Sequence, residues 1–146
     1  MRRYLLVVPF LIACAGGETP PADSAAAAPA VLTDADVAGT WTGTLMAEGS
    51  DSVVANWTNI CAAGTCRHIA STAPNDTITA TYTIQGDSIV GNSAPYADAT
   101  MGGTMMTDHW VARVSGNQVS GTGHMNLAAT PDSVVMRYRF TGTKGM

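Results

Sequence analysis

The chain reads as an all-β protein. We expect a single antiparallel up-and-down meander of about eight strands, closed or nearly closed into a small barrel, with a two-sheet β-sandwich as the alternative. Three observations predict this. From Val37 onward Thr, Val and Ile are frequent, turn residues recur about every ten positions, and no stretch sustains a helical period. A near-repeat links Ile84-Gln85-Gly86-Asp87-Ser88-Ile89-Val90-Gly91 to Val114-Ser115-Gly116-Asn117-Gln118-Val119-Ser120-Gly121. Gly followed by Asp or Asn between apolar residues is a two-residue hairpin turn, because such a turn needs positive φ, which glycine adopts freely. Finally, the last strand alternates, with Val134, Met136, Tyr138 and Phe140 on one face and Val135, Arg137, Arg139 and Thr141 on the other.

The first element is a leader. Arg2 and Arg3 precede an apolar run from Tyr4 to Ile12, shorter than the roughly 20 residues a spanning helix needs. The run ends in Leu11-Ile12-Ala13-Cys14. Basic start, apolar middle and a small residue before the cut are the marks of a secretory signal. The tetrad resembles the lipobox of bacterial lipoproteins. That resemblance implies that residues 1–13 are a signal peptide and that Cys14 receives a diacylglycerol. The alternative is an ordinary signal peptide with a chance cysteine. Ala15 follows where an inner-membrane retention signal would place Asp. The resemblance therefore implies a cell-envelope protein, lipid-anchored at the outer membrane and facing the periplasm.

Residues 14–36 are dominated by Ala, Pro and Gly. Such a composition buries too little apolar surface to offset chain entropy. We read it as a tether that, as a flexible coil, holds the following domain about 25 Å from the membrane. The domain itself is residues 37–146. Without Arg2 and Arg3, the seven basic residues become five against eleven acidic ones, a net charge of −6. No basic stripe exists to neutralise phosphates, so nucleic acid is not an expected partner.

Strands are expected at residues 39–47, 51–59, 66–71, 77–85, 88–93, 104–115, 118–128 and 132–142. Asn56-Trp57-Thr58 matches a glycosylation sequon but reads as strand. Cys61 and Cys66 flank a loop-like Ala-Ala-Gly-Thr. Outside the cytoplasm two nearby cysteines are most simply a disulfide, and their spacing fits no zinc pattern well. The Gly86-Asp87 turn pairs Ile84 with Ile89 and Tyr82 with Gly91. The Gly116-Asn117 turn pairs Ser115 with Gln118, Val114 with Val119, Ala112 with Gly121, Trp110 with Gly123 and Asp108 with Met125. That face is mostly apolar, and the opposite one is mostly polar, as a correct register requires. Trp110 is expected to cover the gaps at Gly121 and Gly123. The loop 94–103 is the longest irregular segment and the first place to look for a binding rim.

The domain opens Gly39-Thr40-Trp41-Thr42-Gly43. A Gly-x-Trp at the start of the first strand resembles the opening of lipocalins and their calycin relatives. The resemblance implies an eight-stranded antiparallel barrel, of a kind that often carries a small apolar ligand in its mouth. It further implies that Trp41 closes the barrel floor beneath a basic residue of the last strand, here Arg137, Arg139 or Lys144.

Candidate chemistry is sparse. His109 and His124 oppose each other on the polar face, near Met101, Met105 and Met106. Imidazole and thioether suit copper, but two histidines on a solvent face are more simply a polar cross-strand pair. No cofactor is expected. Asp108 on the apolar face is either a wet rim residue, the reading we favour, or a buried acid with a raised pKa. His68, beside Arg67, reads as surface. No Ser-His-Asp ordering, Gly-x-Ser-x-Gly, His-Glu-x-x-His or phosphate loop occurs, so an enzyme is not expected. The leading expectation is a barrel that binds a small apolar ligand or lipid. Trp41, Trp57, Tyr82, Trp110 and Tyr138 would line the site, and inward glycines at 91, 121 and 123 would leave space. The alternative is a filled barrel that serves as an interaction or structural module for an envelope protein, with no small ligand.

Overall fold

The computed structural model describes residues 31–145. The segment read as a signal peptide, Cys14 and most of the segment read as a tether lie outside the described residues. The elements in order are α1 (Asp34–Val37), β1 (Gly39–Ala47), β2 (Val53–Ala62), β3 (Thr65–Ala70), β4 (Ile78–Gln85), β5 (Ser88–Ser93), β6 (Tyr96–Asp98), a 3₁₀ turn (Ala99–Met101), β7 (Thr104–Ser115), β8 (Gln118–Leu127) and β9 (Thr130–Lys144). All strand pairs are antiparallel.

Consecutive strands pair except β5 and β6, β1 pairs with β9, and β5 pairs with β7. The last two pairings close a ring of eight strands, so the sandwich alternative is excluded. Closure removes the unpaired edges that an open meander of this length would expose. The ninth strand, β6, takes up the start of β7 at Thr104 to Met106, beyond the stretch His109 to Arg113 that β5 occupies. It falls in the segment expected to be irregular. Three residues carry no readable alternation, which is why the sequence did not reveal it. The following turn is ordered by Asp98, whose Oδ1 accepts from Thr100 N at 2.7 Å and from Met101 N at 3.2 Å.

The hairpin registers follow the turn chemistry. Gln85 faces Ser88 across Gly86-Asp87, and Ser115 faces Gln118 across Gly116-Asn117. Only the glycine of each turn has positive φ, 65° at Gly86 and 57° at Gly116, as a II′ turn requires. The β2–β3 connection is tighter than a loop. Cys61 pairs with Cys66, Ala62 with Thr65, and only Ala63 and Gly64 turn the chain. The two sulfurs are bonded, with Cα atoms 4.1 Å apart.

These tight hairpins gather at one end of the barrel, and the longer connections 48–52, 71–77 and 94–103 gather at the other. Helix α1 closes the hairpin end. It draws residues 34–36, read from composition as tether, onto the barrel. Thr33 and Asp36 form a capping box at its start. Val37 at its end is 1% exposed. Leu32 N donates to Gly86 O at 3.3 Å, which ties the approaching chain to the β4–β5 turn.

The inner face pairs large rings with glycines. A Cβ at Gly91 would collide with Trp110, one at Gly121 with Phe140, one at Gly123 with Tyr138, and one at Gly43 with Trp57. Trp110 therefore leans onto Gly91 of β5, and the expectation that it covers Gly121 and Gly123 is corrected. Trp110 has a glycine opposite on both flanks, Gly91 and Gly123. Strand twist and tilt make those flanks inequivalent. All four rings lean the same way round the ring of strands, β9 to β8, β7 to β5 and β2 to β1. The inward glycines at 91, 121 and 123 are consequently not empty space. They let aromatic rings lie against the wall.

Candidate functional site

The floor of the barrel is built first. Trp41 Nε1 donates to Val37 O at 2.7 Å, which locks the first inward ring of β1 to α1. Lys144 Nζ sits 5.5 Å from the centroid of the Trp41 ring. It also donates to Asp36 O at 3.0 Å and to Ala35 O at 3.4 Å. Those carbonyls are the unsatisfied acceptors of a helix C-terminus, where a cation is favoured. Of the three basic residues considered for this place, Lys144 holds it. Arg139 instead pairs with Asp51 in the β1–β2 connection. Tyr82 belongs to this floor too. It is 5% exposed, and its hydroxyl donates to Asp34 Oδ1 at 3.1 Å.

Above the floor lies a cavity of about 620 Å³. Ligand pockets commonly fall between about 300 and 1,000 Å³. Four of the five expected lining residues, Trp41, Trp57, Trp110 and Tyr138, face it. Tyr82 does not, because its ring is committed to α1. Phe140 joins the aromatic wall and was not foreseen. It stands edge-on to Trp57 at 6.0 Å and to Trp110 at 6.4 Å between centroids, a geometry in which ring edges meet ring faces favourably. The mouth lies between the β3–β4 connection and the β6 segment, which contribute Asp76 and Tyr96 through Thr100.

Two polar stations interrupt the apolar wall. The first is His68 on β3 with Asn59 on β2, joined Nδ1 to Oδ1 at 2.7 Å. Since an amide oxygen only accepts, Nδ1 carries the proton and Nε2 is the acceptor. Burial holds the His68 pKa down to about 4, so the ring is neutral at ordinary pH. The reading of His68 as surface is thus corrected. Cys66, His68 and Ala70 share one face by strict period two, and the neighbouring Arg67 belongs to the other.

The second station is Asp108. Its Oδ1 accepts from the Tyr138 hydroxyl at 2.6 Å, and its backbone N donates to Ser93 Oγ at 2.8 Å. Burial pushes its pKa up to about 6, opposed by the Tyr138 hydrogen bond and by the His109 amide. Asp108 is half-buried in the cavity wall, so each reading holds in part: it keeps the exposure of a rim residue, while desolvation raises its pKa. Tyr96 lies near enough that burial, then Asp108 and Asp98, raise its phenol pKa. The stations stand on different walls of the lumen: three strands separate β2 from β7 in either direction around the ring, and two strands, β4 and β5, separate β3 from β7.

His109 and His124 lie on the outer face as the register required, with ring centroids 5.1 Å apart. His109 Nδ1 is engaged by Asn92 Oδ1 at 2.8 Å. Desolvation, then His109 and Arg137, lower the His124 pKa. Among the described residues no group of three or more His, Cys, Asp or Glu is placed to hold a metal ion. Met106, considered near this pair, is wholly buried and Met105 is exposed.

Comparison with protein-family models, with curated proteins and with solved structures gives no match to this chain.

Proposed function

We propose that this is an exported, lipid-anchored carrier or binding protein that holds a small, largely apolar ligand inside a lipocalin-like barrel. The observation that carries the reading is the roofless cavity of about 620 Å³ above a sealed floor. A filled barrel of eight strands has room for side chains or for one small ligand, and here aromatic rings are laid against glycines, which keeps the lumen open. The Gly39-Thr40-Trp41 opening, with Lys144 over the Trp41 ring, supports the likeness to lipocalins. The Leu11-Ile12-Ala13-Cys14 tetrad supports lipid attachment at Cys14 and a place at the outer membrane. The reading is of a binding protein and not an enzyme.

Native mass spectrometry of protein purified from cells, together with tryptophan quenching by a neutral fluorescent lipid analogue, tests the cavity. The expected result is one bound equivalent that is lost in Ala70→Phe, which fills the lumen beside Trp57. Absent added mass and unchanged fluorescence would favour the filled module. For the anchor, acyl mass on Cys14 is expected, and a Cys14→Ala protein that stays in the membrane would defeat it.

A further inference from the structure

The charges around the lumen are all of one sign. Asp76, Asp98 and Asp108 line the cavity, and no Lys or Arg does so among the described residues. His68 is the one basic group there, and its burial keeps it neutral. The ion pairs among the described residues, Arg113 with Asp87 and Arg139 with Asp51, leave Asp108 out. Its only side-chain partner is the Tyr138 hydroxyl. Asp108 is half-buried, and a carboxylate partly withdrawn from water with no counter-ion carries a cost that an arriving cation would relieve. The walls beside it are the rings of Trp110, Tyr138 and Phe140, whose faces attract cations.

Resting on the reading of the barrel as a binding cavity, we propose that its ligand is a cationic amphiphile. A protonated amine would sit at Asp108 among the aromatic rings, and an alkyl or aryl body would fill the rest of the lumen. An anionic lipid such as a fatty acid is disfavoured, since its carboxylate would meet Asp108, Asp98 and Asp76 with no positive group to receive it. The neutral His68 ring offers Nε2 as an acceptor on another wall, which suits a second donor on the same ligand.

The raised Asp108 pKa adds a pH dependence. The titratable groups near Asp108 are Tyr138 on β9 and Tyr96 on β6; Asp98 lies beside Tyr96, and His68 of β3 lines another wall of the same cavity. Ser93 of β5 and Met125 of β8 complete its surroundings. Below about pH 6 the carboxylate takes up a proton and the attraction for an amine is lost.

Dodecylamine, dodecanol and dodecanoate, each below its micellar concentration, isolate the head group from the chain. Titration at pH 7.5 should give the amine at least tenfold tighter than the alcohol, and the carboxylate weakest. The amine should weaken about tenfold at pH 5, following the ionised fraction of Asp108, while the alcohol is unchanged. In Asp108→Asn, which keeps an acceptor for Tyr138, the amine should lose its advantage. Equal affinity for all three probes, or tightest binding of dodecanoate, overturns the charge selection and leaves the binding cavity standing. Failure of every probe to bind overturns both readings. The wild-type pH series decides the matter even if the variant folds poorly.

Discussion

Trp57 is buried against Gly43 and Gly142, and its Nε1 has no hydrogen-bond partner. A desolvated donor left unmade costs about 1–3 kcal/mol. Trp57→Phe removes that donor while keeping a ring on the glycines, so its net effect should stay within about 1 kcal/mol of neutral. Trp57→Ala should instead cost about 3–5 kcal/mol, and urea midpoints distinguish the two. His68 and Asp108 give opposed pH slopes. His68 has its pKa depressed from 6.5 to about 4, so its share of stability is present above pH 6.5 and is lost as pH falls. Asp108 has its pKa raised from 3.8 to about 6, so stability falls as pH climbs through that window and then levels. In the wild type the two slopes offset each other. Asp108→Asn should make stability rise with pH between about 4 and 6.5, and His68→Gln should make it fall between about 4 and 6. A series of urea unfolding curves across pH reads both signs; parallel curves for the two variants would contradict them. Period two in β3 made the inward place of His68 legible, whereas the hydrogen bond that fixes the proton on its Nδ1 required Asn59 on a different strand.

At the scale of elements, the hairpins show how turn chemistry sets register. Gly86-Asp87 and Gly116-Asn117 were readable because glycine before Asp or Asn leaves few alternatives. The β2–β3 turn was not, because Ala63 occupies a position that glycine or asparagine normally takes. Its φ is 46°, beside Gly64 at 78°. The left-handed region costs an L-residue roughly 1–2 kcal/mol. Ala63→Asn should therefore stabilise the domain by about 1 kcal/mol, seen as a higher urea midpoint with an unchanged slope. The adjacent disulfide closes a very short loop, so its reduction should cost only about 2 kcal/mol. Strand β6 and the 3₁₀ turn escaped sequence reading for a different reason. They exist because β7 is longer than its partner β5 and leaves backbone groups at Thr104 to Met106 that need pairing.

At the largest scale, the described residues form a cup with a sealed floor and a looped mouth. A ligand that binds the folded cup alone must stabilise it. At one hundred times its dissociation constant the gain is about 2.7 kcal/mol, enough to raise the thermal midpoint by several degrees. A thermal scan with and without dodecylamine is the measurement, and no shift at saturating probe would count against a ligand in the lumen. The meander order of the eight barrel strands, the registers of the Gly86-Asp87 and Gly116-Asn117 hairpins and the division into apolar and polar faces were legible in the chain, because each follows from local turn residues and a period of two. Legible too was an aromatic at the floor, although three basic residues competed for the place above it. Only the closed ring chose Lys144, since the end of β9 meets the start of β1 and α1 nowhere else. Only the ring made Trp110 lean onto Gly91 when Gly123 lay opposite on its other side. It also set Asp108, His68 and Asn59 on different walls of one lumen that has no Lys or Arg in its wall among the described residues. These are relations between residues far apart in sequence. They depend on the tilt and twist with which strands close upon themselves, and no local pattern encodes that angle.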